Sequence, residues 1–406
     1  MNKQQQFHRK NRQTLRKKVT DELIVITASS MVQATGDQAY QFQQDTSFYY
    51  LTGIKESGIV LVIDATDEYL VVPSRDEVRV AFEGSVDHSV LTETSGITQF
   101  KEWSELEDRL NTAKSVATLG FYEHQYIESM DMFINPSRQR LHDRLKVGRP
   151  ELAVNDIRAT IALLRMVKQP YEIALIKKAI AATVKVFTAI EKKRATAHNE
   201  QDLLIAANIV AAKLNLEHAY DPIVASGQNA ITLHYDKNNA PLDRSGMLLL
   251  DIGLGYGSYA ADITRSVSSS PTTRQKEVLE AVLAVHAFAL SVLKPGITMQ
   301  EYETLVNEKM GQVLIELGLI TEPTKEAIRK YYPHRTSHFL GLDVHDVGDY
   351  DIPLKKGVVL TVEPGIYIPE ENIGIRLEDD VLITKDGNKV LTSALPKDIG
   401  SLTIRK

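Results

Sequence analysis

Three histidines stand close together in His334-Arg335-Thr336-Ser337-His338-Phe339-Leu340-Gly341-Leu342-Asp343-Val344-His345-Asp346-Val347-Gly348. Imidazoles titrate near neutral pH and each needs polar partners once buried, so packing alone does not account for the run. It marks the centre of an active site. Asp251, Asp262, Glu363 and Glu378 sit in or beside strongly apolar stretches such as Leu248-Leu249-Leu250-Asp251 and Gly357-Val358-Val359-Leu360-Thr361-Val362-Glu363. An ionised carboxylate is unfavourable there unless it is paired or coordinated, and no comparable set of buried lysines lies nearby. Divalent cations are the simplest counter-charge, and four carboxylates balance two of them. Oxygen ligands with one imidazole and no sulfur suit Mn, Co, Zn or Fe and leave the choice open.

The elements that carry these residues read as one plan written twice. A helix follows Pro170, with Ile173, Ile176, Ile180, Val184, Phe187 and Ile190 at helical spacing, and a second starts near Asn199. Two apolar strands come next, one ending in Asp251 and one holding Tyr259-Ala260-Ala261-Asp262-Ile263-Thr264-Arg265. The second half repeats the order: a helix over about 272–293, another opened by a Thr298/Glu301 capping box, then strands ending in Glu363 and Glu378. Such a two-fold plan brings the four acids together at the centre of one curved sheet. Gly253, Gly255 and Gly257 between the first two strands read as a hairpin or bulged turn. They lack both the dinucleotide spacing and a following helix, so a phosphate site is rejected. His286, on an apolar helix, reads as packing or a local hydrogen bond.

Ahead of this lies a separate α/β domain, with strands at Glu22–Thr27, Gly58–Ile63 and Glu68–Val72 and a helix near Trp103–Leu110. Phe48-Tyr49-Tyr50 there suits core or interface packing better than a substrate mouth. Gly148 and Pro150 interrupt the pattern and put the boundary near residue 150, giving domains 1–150 and 151–406. The basic stretch Met1–Thr20 has no apolar core of a secretory signal and is expected as a solvated helix. Over 406 residues, 43% hydrophobic content furnishes full-sized cores, and no apolar run approaches the ~18 residues of a spanning helix. A net charge of -6 with interspersed signs argues for no nucleic-acid and no membrane partner. The lack of cysteine excludes disulfides, thiolate metal sites and cysteine nucleophiles, and fits a reducing cytoplasm.

The runs Asp251–Arg265 and His334–Gly348, with Glu363-Pro364-Gly365-Ile366-Tyr367 and Gly374-Ile375-Arg376-Leu377-Glu378-Asp379, resemble the Xaa-Pro peptidases of the pita-bread metallopeptidase family. Within it the aminopeptidase P group is nearest and the prolidases next. Gln44-Asp45-Thr46-Ser47-Phe48-Tyr49-Tyr50-Leu51-Thr52-Gly53 is similar to that group's N-terminal domain, so the likeness covers nearly the whole chain. It implies an α/β N-terminal domain that controls access and makes oligomer contacts, and an α+β pita-bread (creatinase/aminopeptidase-like) catalytic domain with pseudo-two-fold duplicated halves.

For the site, the resemblance implies two divalent metal ions, manganese foremost, held by Asp251, Asp262, His338, Glu363 and Glu378. Asp251 would hold one, His338 and Glu363 the other, with Asp262 and Glu378 shared. His234 and His345 would contact substrate and the developing tetrahedral intermediate, while His334 and Arg376 would support the pocket. Glu363 would pass a proton to the leaving nitrogen. Arg335 departs from the family, where glycine is commoner, and bears on the pocket beside His334. The implied enzyme is a cytoplasmic Xaa-Pro aminopeptidase acting on proline-containing peptides as a homodimer or homotetramer. A prolidase shares the site and differs in how it caps the substrate's C-terminus. A methionine aminopeptidase would have no use for the large N-terminal domain. A non-catalytic peptide-binding relative would have lost ligands, and here all five positions carry coordinating side chains.

Overall fold

The basic N-terminal stretch forms helix α1 (Lys3–Lys18), started by a capping box between Asn2 and Gln5 and ended by Arg16, Lys17 and Lys18 against the negative pole of the helix. It is not solvated all round, as the sequence reading expected. Phe7, His8, Asn11, Arg12 and Leu15 form a buried stripe at helical spacing, and Arg12 reaches Glu68 at 2.8 Å. A high count of exposed charges hides that stripe. The computed structural model describes residues 2–121, 134–398 and 400–402. It divides into two units between Arg165 and Met166.

The first unit is built on a sheet of β1 (Leu23–Thr27), β4 (Val60–Ile63), β5 (Glu68–Val71), β6 (Phe100–Lys101), β7 (Ser115–Thr118) and β8 (Ala153–Asp156), in the order β6-β5-β4-β1-β7-β8. A small hairpin, β2 (Gln33–Thr35) and β3 (Gln38–Ala39), stands apart from it. The helices are α2 (Thr46–Thr52), α3 (Glu77–Glu83), α4 (His88–Ser95), α5 (Trp103–Thr112), α6 (Ser137–Lys146) and α7 (Arg158–Met166). β1 runs antiparallel to β4 and parallel to β7, and both β1 and β4 are buried along their whole length. Phe48, Tyr49 and Tyr50 lie inside α2 and are buried, with Tyr50 edge-on to Phe7. They belong to the core of this unit and offer no surface to a partner. The division falls later than Gly148 and Pro150 suggest, because β8 pairs with β7 in parallel and so stays with the first sheet.

In the second unit, α8 (Pro170–Arg194) begins with proline at its first turn and α9 (Glu200–Lys213) is capped by Asn199. β9 (Ile223–Ser226), β10 (Leu248–Asp251) and β13 (Thr264–Val267) pair antiparallel in the order β13-β10-β9. Between them, β11 (Gly255–Tyr256) and β12 (Tyr259–Ala260) close a hairpin whose turn residues Gly257 and Ser258 both have positive φ, +56° and +66°. The second half supplies α10 (Thr273–Val292), α11 (Met299–Glu316) with its Thr298/Glu301 box, and α12 (Lys325–Tyr331). Then come β14 (Val359–Val362), β15 (Gly365–Ile368), β16 (Ile373–Arg376), β17 (Asp379–Ile383) and β18 (Asn388–Val390). The core lies where α10 and α11 meet these strands, through Val278, Val282, Met310, Leu360 and Ile375 among others.

The strands are shorter than the apolar runs suggest. Asp251 ends β10, but Asp262 falls between β12 and β13, Glu363 between β14 and β15, and Glu378 between β16 and β17. Three of the four acids therefore sit where a ladder breaks, and strand alternation no longer dictates the direction of their side chains. Register supplies the two-fold relation: Asp251 pairs with Thr264 in one half, and Val362 with Asp379 in the other. The halves are joined directly at the acids, since Glu378 N donates to Thr264 O at 3.1 Å and Thr264 Oγ1 donates to Glu378 Oε2 at 2.7 Å.

Candidate metal centre and active site

All nine candidate residues lie in the second unit. Asp262, His338 and Glu378 each offer a ligand atom within 4.8 Å of the other two. His338 Nε2 stands 3.4 Å from Asp262 Oδ2 and 3.4 Å from Glu363 Oε1. Its Nδ1 faces Phe339 O at 3.1 Å, the arrangement by which a backbone carbonyl fixes a ligating imidazole. Asp251 joins through Tyr220, whose hydroxyl oxygen is 2.6 Å from Asp251 Oδ1 and 2.6 Å from Asp262 Oδ1. One hydroxyl proton serves one of those oxygens at a time, so the other short contact demands a proton or a cation.

Burial and charge agree. Burial raises Asp251 from its ordinary value, against the pull of Arg376. Burial and the neighbouring acids push Glu363 up to about 8 and Glu378 well up. Burial opposes the charge on His338, yet its bond to Asp262 and the nearby Glu363 win and lift it to about 9. Without a metal the cluster must hold protons that a divalent cation would displace. Arg376 is the guanidinium inside the cluster, and its Nη2 meets Asp251 Oδ2 at 2.6 Å. The donor set of hard oxygens and one imidazole fits divalent cations.

Around this core the histidines separate by role. His334 Nδ1 faces Arg335 O at 2.8 Å and its Nε2 faces the Tyr367 hydroxyl at 2.9 Å, which in turn accepts from Arg376 Nη1 at 2.9 Å. Burial and Arg376 hold His334 down to about 3, so it is neutral, and both its ring nitrogens are engaged. His345 is exposed, with its ring centroid 4.4 Å from that of His338. Enclosure by protein and the His338 charge lower it to about 4. His234 is exposed in the loop after β9, within electrostatic reach of both His334 and His345. Arg376 is buried and spends its donors on Asp251, Tyr367 and Thr264, which makes it a fixer of other groups.

The histidine loop is held from behind. Glu303 on α11 accepts from Thr336 N at 3.0 Å and Ser337 N at 3.1 Å. His338 is tied to β14 by Thr361, whose N donates to His338 O and whose Oγ1 accepts from His338 N. The Arg335 guanidinium lies over the Tyr350 ring, 5.3 Å from the centroid, in a cleft of about 800 Å³ that Glu303 and Arg329 also line. His286 is buried, with Nε2 3.1 Å from Asp379 Oδ2, as a local partner and not a ligand. Sequence reasoning missed Tyr220, Tyr367, Thr264 and Glu303, which carry no spacing signal.

Two known families match. The profile described as metallopeptidase family M24 covers residues 174–385, and that of the aminopeptidase P N-terminal domain covers 8–119. The chain belongs to metallopeptidase family M24. Among relatives of this M24 chain, Xaa-Pro aminopeptidase 3 of Rattus norvegicus is 31% identical over 419 residues, spanning 94% of this chain and 80% of the relative. Aminopeptidase P of Escherichia coli in its low-pH form superposes with a TM-score of 0.83 at 30% identity, covering 98% of this chain and 97% of that one. The zinc-substituted E. coli enzyme in complex with product gives 0.82 at 29%, covering 97% and 96%. The fold is thus the two-domain M24 arrangement, an aminopeptidase P N-terminal domain followed by a pita-bread catalytic domain.

Proposed function

We propose that the chain is a metal-dependent Xaa-Pro aminopeptidase of the aminopeptidase P type, hydrolysing the bond between an N-terminal residue and proline. The observation that carries this reading is one buried cluster in which His338 meets Asp262, Glu363 and Glu378 and which Asp251 joins through Tyr220, inside an M24 domain preceded by an aminopeptidase P N-terminal domain. Asp251, Asp262, His338, Glu363 and Glu378 would hold two divalent cations, manganese before cobalt, zinc or iron. When bound, such ions polarise the scissile carbonyl and acidify a water.

The chain's own residues do the rest. Glu363, beside the reacting atoms, takes a proton from the attacking water and delivers it to the proline nitrogen. That nitrogen carries no hydrogen in an Xaa-Pro bond and must be protonated to leave as an amine. His345, neutral at working pH, donates an N–H to the oxygen on which charge develops, and His234 contacts the substrate from the rim. Arg376 holds Asp251 and, through Tyr367, His334, so the acid cluster and the histidine wall keep one geometry.

No helix among the described residues is long and apolar enough to cross a membrane. We place the enzyme in the cytoplasm and in a homodimer or homotetramer, with the first unit controlling access and making the oligomer contacts. Helix α3, which buries none of its residues and exposes Val78 and Phe82 on adjacent turns, supports such an interface, and light scattering tests it. The activity is tested with an Xaa-Pro-Yaa tripeptide beside an Xaa-Pro dipeptide. Cleavage of the tripeptide is expected, and cleavage confined to the dipeptide would make the chain a prolidase.

A further inference from the structure

Lys168, in the short connection before α8, has a fully buried side chain whose Nζ lies 2.8 Å from Asp346 Oδ2, itself 1% exposed at the side chain. The backbone at Lys168 is pinned as well. Its N donates to Gly357 O at 2.9 Å, and Val167 bridges Val358 just before β14. Asp346 is the residue after His345, and its own N donates to Phe339 O at 2.8 Å. That bond closes the loop over 339–346, so that His345 and His338, each next to one end of the closure, meet ring to ring. The loop also folds tightly over the ion pair: a Cβ on Gly341 would come within 2.0 Å of Asp346 Oδ2 and 2.9 Å of Lys168 Cε. Only glycine fits there.

Glu172, the other buried acid near Lys168, is already occupied. It accepts from Tyr259 OH at 2.9 Å and from Gln169 N at 2.8 Å. Lys168 therefore has Asp346 as its direct partner. A buried pair of this kind adds little stability over an apolar replacement of the same shape, and its attested use is to select one arrangement among several.

We propose that Lys168 is a positioning residue for catalysis: its ion pair with Asp346 fixes the 339–346 loop so that His345 faces the reacting carbonyl. This rests on the peptidase reading. The two are separable, because turnover by the native metal-loaded protein tests the reading and a mutant cycle tests the positioning. In Lys168→Met, kcat is expected to fall by about 100-fold, the scale of a misplaced catalytic group, with KM within about 3-fold and metal content unchanged. In a His345→Ala background the same substitution is expected to cost less than about 2-fold, since the group it positions is gone. A merely structural lysine would cost the same in both backgrounds, and that result overturns the proposal. Loss of metal from Lys168→Met would overturn it too, by placing the effect at the acids. If Lys168→Met fails to fold, Lys168→Met/Asp346→Asn leaves no unpaired buried charge and is read by the same cycle and the same outcomes.

Discussion

The two halves of the catalytic unit repeat a framework and divide the chemistry unequally. The first half contributes Asp251 and Asp262 with Tyr220 between them; the second contributes Glu363, Glu378, Arg376 and three histidines. Matching ladders place the acids, since Asp251 ends β10 opposite Thr264 while Glu363 and Glu378 flank the Val362–Asp379 pair of β14 and β17. The glutamates stand just outside their ladder and have the longer side chain. The imidazoles follow no such symmetry. Residues 338–340 lie along β14 as β9 lies along β10, with Phe339 bridged to Leu360, yet only the second half places histidines there. The difference teaches that the buried carboxylates come from both halves, whereas the imidazoles nearest them, His334, His338 and His345, come from the second, with His234 of the first half out at the exposed rim.

The largest expected effects test the sharing. Asp262→Asn and Glu378→Gln, one from each half, should both abolish turnover and metal retention, well beyond the 10–100-fold (about) that loss of an outer hydrogen-bond partner costs. Near-native activity in either would remove that half from the centre. Next comes the one-sided wall. His345→Ala should lower kcat by about 100-fold or more while metal content stays native, as removal of an oxyanion donor does. Because His345 is held down to about 4, the native kcat should show no step from this group between about pH 5 and pH 9.

Smaller effects sharpen the electrostatics. In the metal-free protein Glu363 is pushed up to about 8 and His338 to about 9, both above their ordinary values. The folded chain then binds more protons than the unfolded one over that window, so metal-free stability should fall as pH rises from 6 to 9. Bound metal has displaced those protons and should flatten the slope, which thermal melts at several pH values would register. A melt that rises with pH in the metal-free protein would contradict the proton-holding cluster. Tyr220→Phe should weaken metal binding by about 10-fold in a calorimetric titration, and unchanged affinity would make the tyrosine a spectator. Arg335→Gly should change KM by less than about 3-fold, because the guanidinium is engaged over the Tyr350 ring.

Much of this site could be read from residue types alone. A carboxylate inside an apolar run has few explanations, and Asp251, Asp262, Glu363 and Glu378 each stood in one. The helices were legible because their caps are local, as at Asn199 and Thr298. The breaks of the strands at Asp262 and Glu378 were not, since apolar composition reports burial and says nothing of where a ladder stops. Tyr220 was invisible for another reason: 31 residues separate it from Asp251, and only folding brings them to 2.6 Å. The same holds for Lys168 and Asp346, 178 positions apart. The buried stripe of α1 was masked by its charge, which dominates composition but leaves Phe7 and Leu15 free to pack.

The central claim is tested most directly by assaying an Xaa-Pro-Yaa tripeptide with manganese content measured on the same sample. About two ions per chain, with release of the N-terminal residue, is the predicted result. Full metal occupancy with no cleavage of any Xaa-Pro peptide would contradict it.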